Sequence, residues 1–312
     1  MDRKIMNLQQ NIPLKDYTTF RIGGPAEYFV EVDTIEEVAE ALSWAKQNKK
    51  EILFIGRGSN CLISDEGFPG LVIKLNLQRL DFNDTQVIVG AGVDLSFLLN
   101  KSLENNLTGL EFVAGIPGTV GGAIRGNAGT YGRGIGDVVK RIRYMDLADD
   151  QFKEMLAKEA NFDYRHSIFK EKNFLILEVQ LELEKGDVDL ARKLIQERLQ
   201  YRQETQPQKP SAGCIFKNVL FQSVDLQALK DRGLDIEQFK KYQKIPAAYL
   251  ITRTGLPGKV MGGAKISKKH ANYIVNTGTA TAEEVIMLIS FIKQKVRDKY
   301  GIQLQEEIKI VF

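Results

Sequence analysis

The sequence predicts an α+β fold in three parts. Three observations carry that prediction: capped helices alternate with short apolar strands at the start, glycine-rich β structure fills the middle, and a proline-marked boundary precedes a closing unit with a long capped helix. At 312 residues the chain is long enough for two or three parts, each with its own core.

The elements follow in order. Thr34-Ile-Glu-Glu37 reads as a capping box, in which a threonine oxygen and a glutamate carboxylate satisfy open amides at a helix start. Val38, Ala41, Leu42 and Ala45 then recur on one helical face. Ile52–Ile55 and Leu71–Leu75 read as short buried strands. Gln86–Gly90 reads as another strand, and residues 94 to 106 as a helix. Leu175, Leu177, Val179, Leu181 and Leu183 alternate with mostly polar neighbours, which predicts a strand with one buried face. A helix is expected over 188–203, ending at Gln206-Pro207. Residues 225–243 are charged and read as helical. Thr281-Ala-Glu-Glu284 is a second capping box, opening a helix to about Lys299, and Ile308–Val311 reads as a final strand.

Composition narrows the function. Lys plus Arg total 43 against 40 Asp plus Glu, too even a balance for a nucleic-acid binder with a concentrated basic face. The first twenty residues lack a signal-like apolar core, and no apolar run approaches the ~20 residues that span a bilayer. Cys61 and Cys214 lie far apart, and the chain has only two histidines, His166 and His270. Neither a disulfide framework nor a metal centre is expected, and the compartment expected is the reducing cytoplasm.

Two glycine-rich segments point to a ligand. Gly56-Arg57-Gly58-Ser59-Asn60 follows a strand, where glycines can turn successive amides towards a phosphate. It is not a dinucleotide fingerprint, because Cys61 stands at the third glycine position. Nine glycines fall between residues 115 and 136, in Gly115-Ile-Pro117-Gly118-Thr-Val-Gly-Gly122 and Arg125-Gly-Asn127-Ala-Gly129 and beyond. Interspersed Ile116, Val120, Ile124 and Tyr131 mark a packed, ordered loop rather than a linker. Dense glycine there lets something flat or charged approach the backbone. Tyr164-Arg165-His-Ser167 offers a planar cation for a carboxylate. Ser211–Asn218 sets the Cys214 thiol near Lys217 and Asn218.

In order, these segments resemble the UDP-N-acetylenolpyruvoylglucosamine reductases. The matching motifs are Thr18–Ala26, Gly56–Asn60, Gly109-Leu-Glu-Phe112, Gly115–Gly122, Asn127–Gly129, Tyr164–Ser167, Gln206-Pro207, Gly213–Asn218 and Lys269–Asn272. The short interval from Tyr164 to Gly213 resembles the compact subgroup of the family, which lacks a tyrosine-bearing loop.

The resemblance implies a two-part FAD-binding region of the vanillyl-alcohol-oxidase (PCMH) type and a C-terminal α+β substrate domain. The expected bounds are 1–75 and 76–203 for the two FAD-binding parts, the first completed by 300–312, and 204–299 for the substrate domain. FAD would be held non-covalently, with Gly56, Arg57, Gly58, Ser59, Asn60, Gly115, Pro117, Gly118, Gly122 and Asn127 around it. NADPH is the implied co-substrate and UDP-N-acetylglucosamine enolpyruvate the substrate, with no nucleic-acid, membrane or obligate protein partner. Arg165, Cys214 and Glu307 match the catalytic positions, and Tyr164, Arg202, Lys217 and Asn218 the substrate positions.

Cys214 stands where most of the family has serine. A thiol, with an ordinary pKa of about 8.5, is the better acid and can donate the same proton. Val219 and Leu220 stand where proline commonly follows Phe-Lys-Asn, and Gln305-Glu306 replaces the usual Glu-Pro, so choosing Glu307 over Glu306 depends on register. Two other readings compete: a FAD-dependent oxidase or dehydrogenase of the same fold, and an inactive regulator that binds a nucleotide sugar.

Overall fold

A computed structural model describes residues 6–312; the first five, which open the segment read above as unlike a signal peptide, lie outside them. The described chain divides into two compact units. One comprises residues 6–12, 26–57 and 69–204, and the other 13–25, 58–68 and 205–312.

The first unit contains two sheets. One has the order β1-β2-β5-β3, formed by Gln9–Pro13 (β1), Pro25–Val32 (β2), Ile52–Ile55 (β3) and Phe68–Leu75 (β5), with β3 parallel to β5. Helix α1, Ile35–Gln47, shares its core: Val38, Ala41, Leu42 and Ala45 pack with Val30, Val32, Leu71 and Ile73. Thr34 Oγ1 accepts from the Glu37 amide as predicted, at 3.1 Å. The Glu37 carboxylate, however, accepts from Asp33 N, so the reciprocal bond falls one residue early.

The second sheet is antiparallel throughout, in the order β10-β9-β11-β7-β6. Its strands are Leu80–Asn83 (β6), Gln86–Gly90 (β7), Val139–Asp146 (β9), Gln151–Leu156 (β10) and Phe174–Glu182 (β11). A short ladder joins Leu107–Thr108 (β8) to Glu184–Lys185 (β12). Helices α2, Leu95–Glu104, and α3, Val120–Gly126, share the core of the larger sheet. Helix α4, Val188–Thr205, follows and ends where Gln206-Pro207 was read as a boundary.

Strand β11 departs from the one-faced reading. Leu175, Ile176, Leu177 and Val179 are all buried, and the pairing with β9 skips Leu177. The bulge inserts one residue, so alternation shifts: Leu175 and Leu177 join the core of the first sheet, while Ile176, Val179 and Leu181 join that of the second. A strand in contact with two cores cannot show simple period-two burial.

The second unit packs around α7, Ala282–Tyr300, whose Val285, Leu288, Ile289, Ile292 and Val296 are buried. Its capping box is complete, with Thr281 and Glu284 each accepting from the other's amide. Helix α6, Ala247–Arg253, and the sheet of Val260–Met261 (β15), Ala264–Ile266 (β16) and Ile274–Asn276 (β17) contribute to the same core. Cys61–Ile63 (β4) pairs in parallel with Lys309–Val311 (β18).

Residues 225–243, expected as helical, are broken. Asp225 caps α5, Leu226–Asp231, and after Gly233, at φ +76°, only a 3₁₀ turn over Glu237–Tyr242 resumes. Val219–Leu220 (β13) pairs with Lys244–Ile245 (β14). The residues that replace the family's proline therefore form a ladder, whereas proline would remove an amide donor. Among the described residues, no helix is long and apolar enough to cross a membrane.

Candidate active site

In the first unit the two glycine-rich segments meet. A Cβ built on Gly56 would lie 2.5 Å from Thr119 Oγ1, and Thr119 caps α3 by accepting from Gly122 N at 3.4 Å. Arg57 pairs with Asp94 at 2.7 Å, and Asp94 bridges Thr119. The second segment was read as a loop, yet Val120–Gly126 is helical despite three glycines. Packing overrides propensity here, because a Cβ on Gly121 would come within 2.9 Å of Ala91. Val120 and Ile124 are buried as expected, whereas Tyr131 is 57% exposed.

The glycines separate into two kinds. Gly56, Gly115, Gly121, Gly129, Gly134 and Gly136 are required by neighbouring protein atoms. At Gly122 the nearest atom to an added Cβ is 3.7 Å away, and at Gly126 and Gly132 nothing lies within 4 Å. Gly132 is accounted for by its φ of +82°, but no internal contact or backbone angle explains Gly122 and Gly126, and these two leave backbone open to a flat or charged group. That is the cradle a dinucleotide such as FAD requires, so the residues fit the implied cofactor. Gly118 is buried at φ +153°, and Pro117 is exposed beside it. Asn127 caps α3 in the left-handed conformation, and its side chain donates to Asp163 O and accepts from Gly136 N. It therefore braces the loop.

That brace leads to Arg165. Asp163 and His166 exchange backbone hydrogen bonds, at 3.2 and 3.1 Å, and close a turn with Tyr164 and Arg165 at its tip. Arg165 takes φ +53°, and its Nη1 donates to Gly129 O at 3.1 Å. Ser167, fully buried, donates to Arg125 O and anchors the turn to α3. Arg202, on α4, lies across Gly115, where a Cβ would meet its Cδ at 2.6 Å. The fold thus gathers Gly115, Asn127, Tyr164, Arg165 and Arg202 around one loop.

The second unit gathers the remainder. Gly58 takes φ +60° with Tyr17 O only 2.1 Å from a built Cβ, so only glycine fits. Ser59 is half-buried; Asn60 donates to Glu307 O at 3.2 Å and accepts from Lys309 N at 2.9 Å. Residues 214–218 run antiparallel to 305–307: Glu307 N donates to Ile215 O at 2.7 Å, Lys217 N donates to Gln305 O at 2.9 Å, and Phe216 bridges Glu306. Asn272 clamps the other edge, accepting from Phe216 N, donating to Phe216 O and taking Ile215 N on its own carbonyl. Asn218 Oδ1 accepts from Ala247 N at the start of α6.

Cys214 and Glu307 are both half-buried in this ladder. Glu306 is committed elsewhere, to Lys293 at 2.6 Å. Burial pushes the Cys61 thiol up to about 11 and holds His270 below the usual imidazole range. A cavity of about 650 Å³ between residues 15–21 and 276–278 contains none of the predicted site residues. Asn272 and Asn276, both buried, were assigned no role from the sequence, although Asn272 closes the Lys269–Asn272 motif; their side-chain bonds to distant backbone reveal what they do.

The model of an FAD binding domain matches residues 26–155, and that of the UDP-N-acetylenolpyruvoylglucosamine reductase C-terminal domain matches residues 206–311. The chain is 37% identical to the UDP-N-acetylenolpyruvoylglucosamine reductase of Caldanaerobacter subterraneus subsp. tengcongensis, covering 97% of this chain and 93% of that one. It is also 37% identical to the reductase of Anoxybacillus flavithermus, covering 100% of this chain and 96% of the relative. The crystal structure of the Thermus caldophilus reductase superposes with a TM-score of 0.78 at 31% identity, covering 99% of this chain and all of that one. By sequence over its whole length and by fold, the chain belongs to the UDP-N-acetylenolpyruvoylglucosamine reductase family.

Proposed function

We propose that the chain is a cytoplasmic oxidoreductase that converts UDP-N-acetylglucosamine enolpyruvate to UDP-N-acetylmuramate with NADPH, a step in peptidoglycan precursor synthesis. The observation that carries the proposal is the pairing of Glu307 with the residue after Cys214, in a chain whose full length matches reductases of that name. Three functional parts are proposed, as the resemblance implies: 1–75 with 300–312, 76–203, and 204–299. The pairing of β4 with β18 supports assigning the C-terminal tail to the first.

When bound, FAD would supply the hydride-transfer chemistry that links NADPH to C3 of the enolpyruvyl group. The glycine loops leave open backbone for that cofactor, and Asn127 and Thr119 hold them in shape. Negative charge then grows on the substrate carboxylate. Arg165, fixed in its turn through Gly129, holds those oxygens and stabilises the enolate. The Cys214 thiol gives its proton to C2 and is restored from solvent. Glu307 acts as a protonated donor or orients one, since an ionised carboxylate would repel the enolate. Tyr164, Arg202, Lys217 and Asn218 orient the substrate.

The test is anaerobic. The holoenzyme should bleach on NADPH and recover its yellow colour on the enolpyruvyl sugar nucleotide. A preparation that binds no FAD, or that stays bleached with the sugar nucleotide present, rejects the proposal. Rapid recovery with oxygen alone would favour an oxidase.

A further inference from the structure

Arg198, on α4, carries no role in the reading above, yet its surroundings are unusual. Its Nη1 is buried with no hydrogen-bond acceptor. Among the described residues no carboxylate pairs with its guanidinium. Buried polar atoms are almost always satisfied, so an orphan on a charged group calls for an explanation. The guanidinium carbon lies 4.7 Å from the centre of the Tyr131 ring. Such a contact steadies a cation but does not neutralise it.

Tyr131 is unusual as well. It is 57% exposed and takes φ +57°, a conformation that costs a bulky residue of order 1–3 kcal/mol. Exposure of a large ring and backbone strain both oppose stability, and strain of this kind collects where ligands bind. Two residues earlier, Gly129 O holds Arg165. One turn along α4, Arg202 lies across Gly115. The Arg198–Tyr131 pair therefore stands on the loop that carries the candidate site. Gly132 follows Tyr131 at φ +82°, with nothing within 4 Å of a built Cβ.

We propose that Arg198, stacked on Tyr131, is a further anion-binding residue of the site and takes a phosphate of a nucleotide ligand. The inference rests on the reductase reading. Phosphate oxygens would supply the acceptors that the fold withholds, in a geometry suited to the planar guanidinium fork. The stacked ring preorganises that fork and offers a flat wall. The shared chemistry is phosphate, which FAD, the pyridine nucleotide and the uridine nucleotide all carry.

Arg198→Gln in the holoenzyme separates these sources. Dissociation constants are measured by flavin absorbance titration with NADP⁺ and with UDP-N-acetylglucosamine, and FAD retention by dilution. Loss of a charged hydrogen bond predicts roughly a tenfold or larger weakening for at least one of the three. The ligand affected identifies the phosphate. Arg198→Lys should fall between, keeping charge but losing the fork, and Tyr131→Leu should weaken the same ligand. All three constants within twofold of the wild type in Arg198→Gln overturn the proposal, as does a loss of melting temperature with the constants unchanged. Failure of the wild-type chain itself to be reoxidised by the sugar nucleotide would reject the reductase reading, a result that does not depend on any Arg198 variant.

Discussion

The amide of Glu307 donates to the carbonyl of Ile215 at 2.7 Å, which fixes the main chain of Glu307 opposite the residue that follows Cys214. The donor role proposed for Cys214 predicts that a change of donor atom is tolerated. Cys214→Ser should remain active, while Cys214→Ala should lose roughly 10²–10⁴-fold in reoxidation by substrate. Stopped-flow measurement should find flavin reduction by NADPH spared in both. Equal damage to the two half-reactions would remove Cys214 from the donor role.

The adjacent glutamates should behave differently. Glu306 is paired with Lys293, and Glu307 lies in the ladder beside Ile215. Glu306→Gln removes one partly exposed ion pair, worth about 1 kcal/mol or less, and should leave turnover near normal. Glu307→Gln should slow the second half-reaction selectively and alter its pH profile. The reverse ranking of the two variants would move the catalytic assignment by one residue.

Gly58 and Gly213 compare two costs of a side chain. Both have positive φ, +60° and +76°, but a Cβ on Gly58 would lie 2.1 Å from Tyr17 O, whereas nothing lies within 4 Å at Gly213. Gly213→Ala should destabilise by about 1–2 kcal/mol from conformation alone. Gly58→Ala should cost well beyond the roughly 1–3 kcal/mol of strain, because backbone must move. Urea denaturation that ranked them equally would contradict the close approach.

The Cys61 thiol should make stability depend on pH at the alkaline end. Burial raises Cys61 from 9.0 to about 11. Its folded state therefore keeps a proton that the unfolded chain loses first, so the contribution to stability is complete below about 9 and is lost as pH rises through 11. Melting temperature should fall less steeply over that window in Cys61→Ala than in the wild type. Iodoacetamide should label Cys61 slowly at pH 8 and much faster as pH approaches 11, as peptide mass spectrometry would report.

What could be read from the sequence was local. Thr34 and Thr281 announced two helices because a cap and its partner lie three residues apart, and Val38 to Ala45 showed the buried face of the first through spacing alone. The helix at Val120–Gly126 was hidden because its stability comes from Ala91 and the Thr119 cap rather than from glycine. The bulge at Leu177 was hidden because it answers a partner strand about thirty residues earlier. The family was legible because several motifs agreed in order. Arg198 and Tyr131 were not, since an unsatisfied donor is defined by what surrounds it in space.

One asparagine has a consequence for how substrate binding would spend its free energy. Asn272 satisfies both main-chain groups of Phe216, doing with a single side chain what a neighbouring strand would do. The segment bearing the thiol is thereby set before any ligand arrives, and little disorder remains there to be removed on association. Under the proposed function, affinity gained elsewhere on the nucleotide sugar can go towards the reacting bond rather than towards ordering the segment that bears Cys214.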